Sequence, residues 1–316
     1  MSSSLDWSEQ IKQVCLKADQ KLSVLRSVKL LNRQTLDLLY KITVRSVIDY
    51  ALPVYFKNLK QTQISRLENI QYRAAKLVTG AFHYSSREKL NNELGWESIE
   101  KRSDLLSLNI FHKIHLHETR PLIRNCMPKL DFEQEHFLRS KGGYTPFKNY
   151  GSDFERSFFS CISNLWNNLP KDVQCKDLLD FKTYTNNELK PPRYKHFSRG
   201  NKLGNTLLTK IRVGRSDLKQ HRFTIGFSDS PECLCHHREE SPLHFFLDCF
   251  LYLPERQTLF ERFEHYIPNF PKFPKYKKLD IILRGIHIEN PDLLSLNTTL
   301  TIAVQNFILH TKRFSD

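Results

Sequence analysis

The stretch TLDLLYKITVRSVIDYALPVYFKNLKQTQISRLENIQYRAAKLVTG, residues 35–80, decides the fold. Leu36, Leu39, Tyr40, Thr43, Val44, Val47 and Tyr50 recur at three- and four-residue steps, which predicts one continuous helical face. Pro53 is expected to end that helix, because its ring removes a backbone donor and collides with the preceding turn. A second helix is predicted from Thr62, as N-cap, through Ile64, Leu67, Ile70, Ala74, Ala75 and Val78, with Gly80 as a left-handed cap. Arg66, Arg73 and Lys76 fall on its other side, so one face is apolar and the other cationic.

The same pattern spreads in both directions. Residues 6–29 read as a helix with Asp6 and Glu9 as a capping-box-like start and a stripe of Ile11, Val14, Cys15, Ala18, Leu22 and Leu25. Lys12, Lys17, Lys21 and Arg26 make its basic face. Downstream, Ser85 with Glu88 predicts a short capped helix, and Ser98 opens another through Leu105, Leu108, Phe111 and Ile114 that is apolar nearly all round and therefore central. His112, His115 and His117 on it have no ordered carboxylate or cysteine partner in the sequence, so they read as packing or surface histidines. Prolines and glycines between 119 and 150 mark an irregular connection. Trp166 and Phe181 sit at helical spacing in 151–189 and read as core anchors.

The 316 residues carry a formal net charge of +14, which calls for a polyanionic partner, nucleic acid before membrane surface. No apolar run of membrane-spanning length and no apolar leader are present, so the expected location is intracellular, in nucleus or cytoplasm. Only 10 glycines among the many Leu, Lys and Ile favour helix. The charge is uneven. Residues 190–222 hold ten Lys or Arg against one acid, Asp217, whereas 230–316 hold ten against eleven. With Tyr194 and Phe197 set among Lys190, Arg193, Lys195, Arg199, Lys202, Lys210, Arg212, Arg215, Lys219 and Arg222, this run suits a backbone groove with stacking rings. A solvated linker with incidental charge is the plainer alternative.

The most specific chemical signal is PECLCHHREESPLHFFLDC, residues 231–249. Cys233, Cys235, His244 and Cys249 have the spacing C-x-C-x8-H-x4-C, a closed set of three thiolates and one imidazole for a structural zinc. His236 or His237 could replace the named histidine, and three buried free cysteines are the bland reading. Cys15, Cys126, Cys161 and Cys175 lie far apart and read as core thiols. Residues 251–266 and a last stripe of Leu300, Ala303, Val304, Phe307 and Ile308 are predicted helices, with PKFPKYKKL (271–279) an exposed loop between them.

LLYKITVRSVIDYALPVY (38–55) and RLENIQYRAAKLVTG (66–80) resemble the segment that follows the palm in non-LTR (LINE-type, jockey-like) retrotransposon reverse transcriptases. In those enzymes the equivalent helices form the thumb and its extension. LDWSEQIKQVCLKADQKLSVL (5–25) resembles the sequence directly after their last palm strand, LWNNLPKDV (165–173) and LLDFK (178–182) are further local matches, and similar C-x-C…H…C clusters occur near their C-termini. The resemblance implies RNA and DNA as partners, held with little sequence preference, and a chain that begins where the catalytic domain of its relatives ends. Their chemistry uses two adjacent aspartates that hold two metal ions. This sequence has no Asp-Asp pair, no Walker loop, no G-x-S-x-G and no H-E-x-x-H, so no catalytic residue is named, and polymerisation would need a palm in trans.

The expectation is thus a mainly α protein: a thumb-like helical bundle at 1–118, a connector and helical extension at 119–189, a basic nucleic-acid-binding segment at 190–229, and a zinc-knuckle-like module with terminal helices at 230–316. The expected function is nucleic-acid binding by a remnant or partial copy of an RNA-directed DNA polymerase. A zinc-stabilised protein-interaction module and an inert translated fossil are the alternatives.

Overall fold

Apolar side chains at four-residue steps shape the first part of residues 35–80. In a straight α-helix such steps drift by about 40° each. Leu36, Tyr40, Val44 and Ile48 are nevertheless all fully buried, because Tyr40–Arg45 widens into a π-helical turn between the α-helical pieces Arg33–Leu39 and Ser46–Asp49. Tyr50 leaves the stripe and is 75% exposed. The helix ends earlier than the proline rule predicts. Ala51 turns the chain in the left-handed region (φ 55°), and Pro53 lies in the first turn of the next short helix, Leu52–Tyr55, where its missing donor costs nothing. The second long helix runs Gln61–Thr79, so Thr62 lies inside it and does not cap it; the chain enters two residues earlier, with the Gln63 amide oxygen accepting from the Lys60 amide. Gly80, at φ 68°, closes it as expected, its amide bonded to the Lys76 carbonyl.

The computed structural model describes residues 7–116, 121–124, 126–127, 143–144, 157–189, 191, 194–286 and 293–314. The protein is mainly α, with no strand among the described residues. It divides into two compact units, each drawn from three separate stretches of chain.

The first unit comprises Met1–Val24, Lys41–Gln71 and Gly95–Pro192. Its centre is the helix Ile99–His115, capped by Ser98, whose hydroxyl accepts from the Lys101 amide. Leu108 and Phe111 pack there with Ile162 and Trp166 of Phe158–Asn167 and Phe181 of Leu178–Asn187. His112 is fully buried, stacked on Phe181 at 3.9 Å, with Nε2 2.9 Å from the Lys176 carbonyl. It is a core histidine, and Trp166 and Phe181 are the anchors expected. Arg102 bridges Asp49 (2.8 Å) and the buried Glu97 (3.2 Å). Asp6, His117 and most of 119–150 lie outside the described residues.

The second unit comprises Leu25–Tyr40, Tyr72–Leu94 and Arg193–Asp316. Ser86, not Ser85, caps the helix Arg87–Leu94: its hydroxyl accepts from the Lys89 amide. The helices Lys202–Arg212, Leu253–Tyr266, Lys275–Arg284 and Leu293–His310 bury one cluster that includes Leu208, Phe245, Phe263, Phe270, Val304 and Phe307. Residues 275–279, expected as loop, form the start of a helix. The basic run is likewise no linker. Leu207, Leu208 and Ile211 point its middle into the core.

Candidate metal centre and basic surface

The spacing H-x4-C is carried here by a π-helical turn, not by an α-helix. Residues five apart on an α-helix lie roughly 140° round from each other. His244–Asp248 is instead a π-helical turn, and its i→i+5 bond from the Cys249 amide to the His244 carbonyl (2.8 Å) brings the two side chains to one side. The other two donors come from a tight loop. There the Cys233 amide bonds the His237 carbonyl, the His236 amide bonds the Cys233 carbonyl, and His236 takes a left-handed φ of 65°.

These elements bring together the four residues that the spacing selected. The donor atoms of Cys233, Cys235, His244 and Cys249 all lie within 4.8 Å of one another, a set that could hold a metal ion. Cys235 Sγ is 3.1 Å from His244 Nε2, and Cys233 Sγ is 3.8 Å from Cys249 Sγ. A disulfide would need about 2.05 Å, so all four sites carry free donors. The alternative histidines fall away. His236 is exposed beside Glu232, and His237 stacks on the His244 ring at 4.0 Å while its Nδ1 faces the Glu239 carbonyl. His244 Nδ1 is buried with no hydrogen-bond partner among the described residues, so its ring is oriented by the His237 stack and the Nε2 contact with Cys235.

Burial pushes the Cys233 thiol up to about 12, raises the Cys249 thiol, and lowers the His244 imidazole. A bound cation would displace the protons that burial favours on the Cys233 and Cys249 thiols. The loop is tied to the unit through Glu240, which is fully buried: Arg313 Nη2 donates to it at 2.6 Å and the Lys219 amide at 2.8 Å. Arg256 donates to the Phe246 carbonyl at 3.0 Å and also to the Cys249 carbonyl. Glu240, Arg256 and Arg313 had no local signal in the sequence, since their partners are distant or backbone groups.

The basic residues divide by exposure. Arg212 is buried against Glu93 (Nε to Oε2, 3.0 Å), which also takes Arg33 at 2.9 Å, while Thr209 donates to Glu93 at 2.9 Å. The two guanidinium groups hold the Glu93 carboxyl below the usual carboxylate range despite its burial. Arg212 also lies 3.8 Å over the Phe197 ring, which is 4% exposed. Neither Arg212 nor Phe197 presents a surface to nucleic acid, which corrects that part of the expected groove. Lys202 donates to the Leu31 carbonyl at 2.9 Å and to that of Lys29, and Lys210 pairs with Asp217 at 3.5 Å over the Phe82 ring. Tyr194 is half-buried, 4.8 Å from Phe197. Lys195, Arg199 and Arg222 are exposed, and Arg215 and Lys219 half-exposed, none of the five in an ion pair among the described residues. On the helix Gln61–Thr79, Arg66 is exposed, Arg73 half-buried, and Lys76 lies 4.3 Å over the Tyr72 ring. Lys190 and Arg193 lie outside the described residues.

Sequence reasoning missed Phe82, Tyr84 and Phe227, which meet beside Arg215 and Arg222. Phe82 and Tyr84 lie more than 140 residues from Phe227 in the chain, and no pattern in the sequence links them. Among the described residues, no helix is long and apolar enough to cross a membrane. No family model, curated protein or solved structure matches the chain.

Proposed function

We propose that this chain is a nucleic-acid-binding module stabilised by one structural zinc ion and derived from the region after the palm of a non-LTR retrotransposon reverse transcriptase. Three thiolates and an imidazole close a tetrahedron and leave no position for a substrate. Sulfurs about 2.3 Å from a tetrahedral zinc are about 3.8 Å apart, and Cys233 and Cys249 are separated by 3.8 Å. Zinc here would join the 233–235 loop to the 244–249 turn, and the chain's own residues would supply no reaction at it.

The observation that carries nucleic-acid binding is the set Lys195, Arg199, Arg215, Lys219 and Arg222. All five lie in the second unit, with their charges unpaired by any acid among the described residues. Such charges bind phosphates by releasing condensed counterions, with about 0.7 units of salt slope for each contact on a single strand. The test is the affinity of the zinc-loaded chain for a short single-stranded RNA across a salt series. Steep salt dependence is expected, and Lys195→Ala, Arg199→Ala and Arg222→Ala together should flatten the slope by about two units. Salt-independent or absent binding would overturn the reading. It would favour the protein-interaction alternative, for which exposed Leu30 (84%) and Leu38 (57%) are the supporting observation.

A further inference from the structure

Within the second unit, the stretch Phe82–Tyr84 faces the turn and short helix between Arg215 and Phe227 across a cavity of about 370 Å³. Both walls are held by the backbone. The Tyr72 hydroxyl lies 2.7 Å from the carbonyls of His83 and Ser85, which fixes the first wall. On the second, the Phe227 amide bonds the Arg222 carbonyl (2.8 Å) and the Gly226 amide bonds the Phe223 carbonyl (3.0 Å), with Gly226 at φ 73°. That is a Schellman motif, whose last residue normally packs its apolar side chain back on the helix. Phe227 does not: it is 63% exposed, and Tyr84 opposite is 72% exposed.

Two exposed aromatic rings in one cleft indicate a binding surface rather than core. The charge of the cleft narrows the ligand. Asp217 is its one acid and is paired with Lys210, so Arg215 and Arg222 leave it cationic. The volume is near the lower end of the small-ligand range, enough for one flat ring system with its sugar. A ring to stack on and a cation beside it describe a nucleotide, and an exposed base exists only where the strand is unpaired.

We propose that this cleft takes one unpaired base of a single-stranded nucleic acid against Tyr84 and Phe227, with the adjoining phosphates on Arg215 and Arg222. The proposal rests on the nucleic-acid reading above and adds what part of the strand is held and where. Duplex ends and paired bases have no ring free to enter, so the cleft favours single strands over duplex. The ring contact is indifferent to the sugar, so RNA and DNA strands are both candidates, and the arms of the test separate them.

The test uses the full zinc-loaded chain with a single-stranded RNA, a DNA strand of the same sequence, and the corresponding duplex. The double variant Tyr84→Ala/Phe227→Ala should lose about fivefold to 150-fold in affinity for the single strands, with the salt slope unchanged. Its duplex affinity should stay as in the wild type. The strand whose affinity falls identifies what the cleft takes. Arg215→Ala/Arg222→Ala should instead flatten the slope by about 1.4 units. A strand carrying 4-thiouridine should crosslink to the peptide containing Tyr84 or Phe227. Both aromatic side chains are largely exposed, so the variant should keep the wild-type melting temperature. Wild-type affinity in the aromatic variant, or an equal loss on duplex, would overturn the cleft while leaving salt-dependent binding intact. No binding of any strand by the wild type would overturn the underlying reading as well.

Discussion

Two buried polar clusters of the second unit solve the same problem in opposite ways. Arg33, Glu93, Thr209 and Arg212 bring both signs of charge, so the protein's own groups compensate one another. Cys233, Cys235, His244 and Cys249 bring only donors, and the nearby Arg256 bonds to carbonyl oxygens instead. The first cluster is complete as folded; the second is a set that could hold a cation from outside. The difference also governs what can be read from the chain. A metal set must be assembled from loops short enough to close, so its spacing is local and visible. An ion cluster can draw partners 60 and 119 residues apart, and nothing in the sequence marks them as partners.

The largest effect should come from the cluster proposed to hold an added ion. Structural zinc sites contribute on the order of 10 kcal/mol of binding free energy to the segment they close. The purified chain should contain one zinc, and Cys249→Ser should remove it, whereas Cys161→Ser should not. The change should loosen the 233–249 segment, read as faster amide exchange there, while Phe245 and Phe246 remain anchored against Phe307 in the main core. Full zinc content in Cys249→Ser would reduce the cluster to ordinary core thiols and erase the contrast between the two sites.

The self-compensated cluster should fail when one sign is removed. Glu93→Ala leaves two guanidinium groups buried without their carboxylate, which costs about 3–5 kcal/mol in comparable buried pairs. Urea unfolding at neutral pH measures it, and a loss below about 1 kcal/mol would show that the three charges are not coupled. Acid gives a second measure with a definite sign. The folded-state value of Glu93 lies below its ordinary 4.5, so the unfolded chain takes up the proton first and stability falls as pH drops. The contribution is intact above about 4.5 and disappears as pH falls through the lower folded-state value. Glu93→Gln should therefore weaken the protein at neutral pH and flatten its stability profile between pH 4.5 and the acid limit.

What the sequence showed and hid follows the same division between local and distant causes. The stripe Ile11, Val14, Ala18, Leu22 and Leu25, the Ser98 cap and the Gly80 stop are all local, and all stand in the structure. Leu36, Tyr40 and Val44 of the predicted stripe are buried, but its continuation is Ile48 and not Tyr50, because a helix-period reading cannot tell an α-helix from one containing a π turn. The second π turn, at His244–Asp248, carries the H-x4-C spacing, and nothing in that spacing announced the backbone that holds it. Ser85 and Ser86 are adjacent capping candidates, and only the backbone path chooses between them. Phe197 reads as a stacking ring among cations until Arg212 is found lying on it. Tyr84 and Phe227 are the reverse case, aromatic residues that no pattern in the sequence singles out and that the fold leaves exposed.

The smallest effects lie where the two kinds of cation in the basic run meet, and they sharpen the comparison most. Lys210 stands between them: its ammonium pairs with Asp217 at 3.5 Å and lies 3.8 Å over the Phe82 ring, with 15% of the side chain exposed. A partly desolvated cation over a ring contributes about 1 kcal/mol, so Lys210→Ala should destabilise by roughly that amount in urea. The triple change at Lys195, Arg199 and Arg222 removes three charges in place of one, yet should alter stability by less than about 0.5 kcal/mol, because exposed side chains away from caps and packing seldom matter more. In nucleic-acid binding the order should reverse, the triple variant flattening the salt slope and Lys210→Ala leaving it nearly unchanged, since its charge is already engaged. If Lys210→Ala flattened the slope without loss of stability, Lys210 would belong with the surface cations, and the boundary between charges that hold the fold and charges that face a ligand would have to move inward past it.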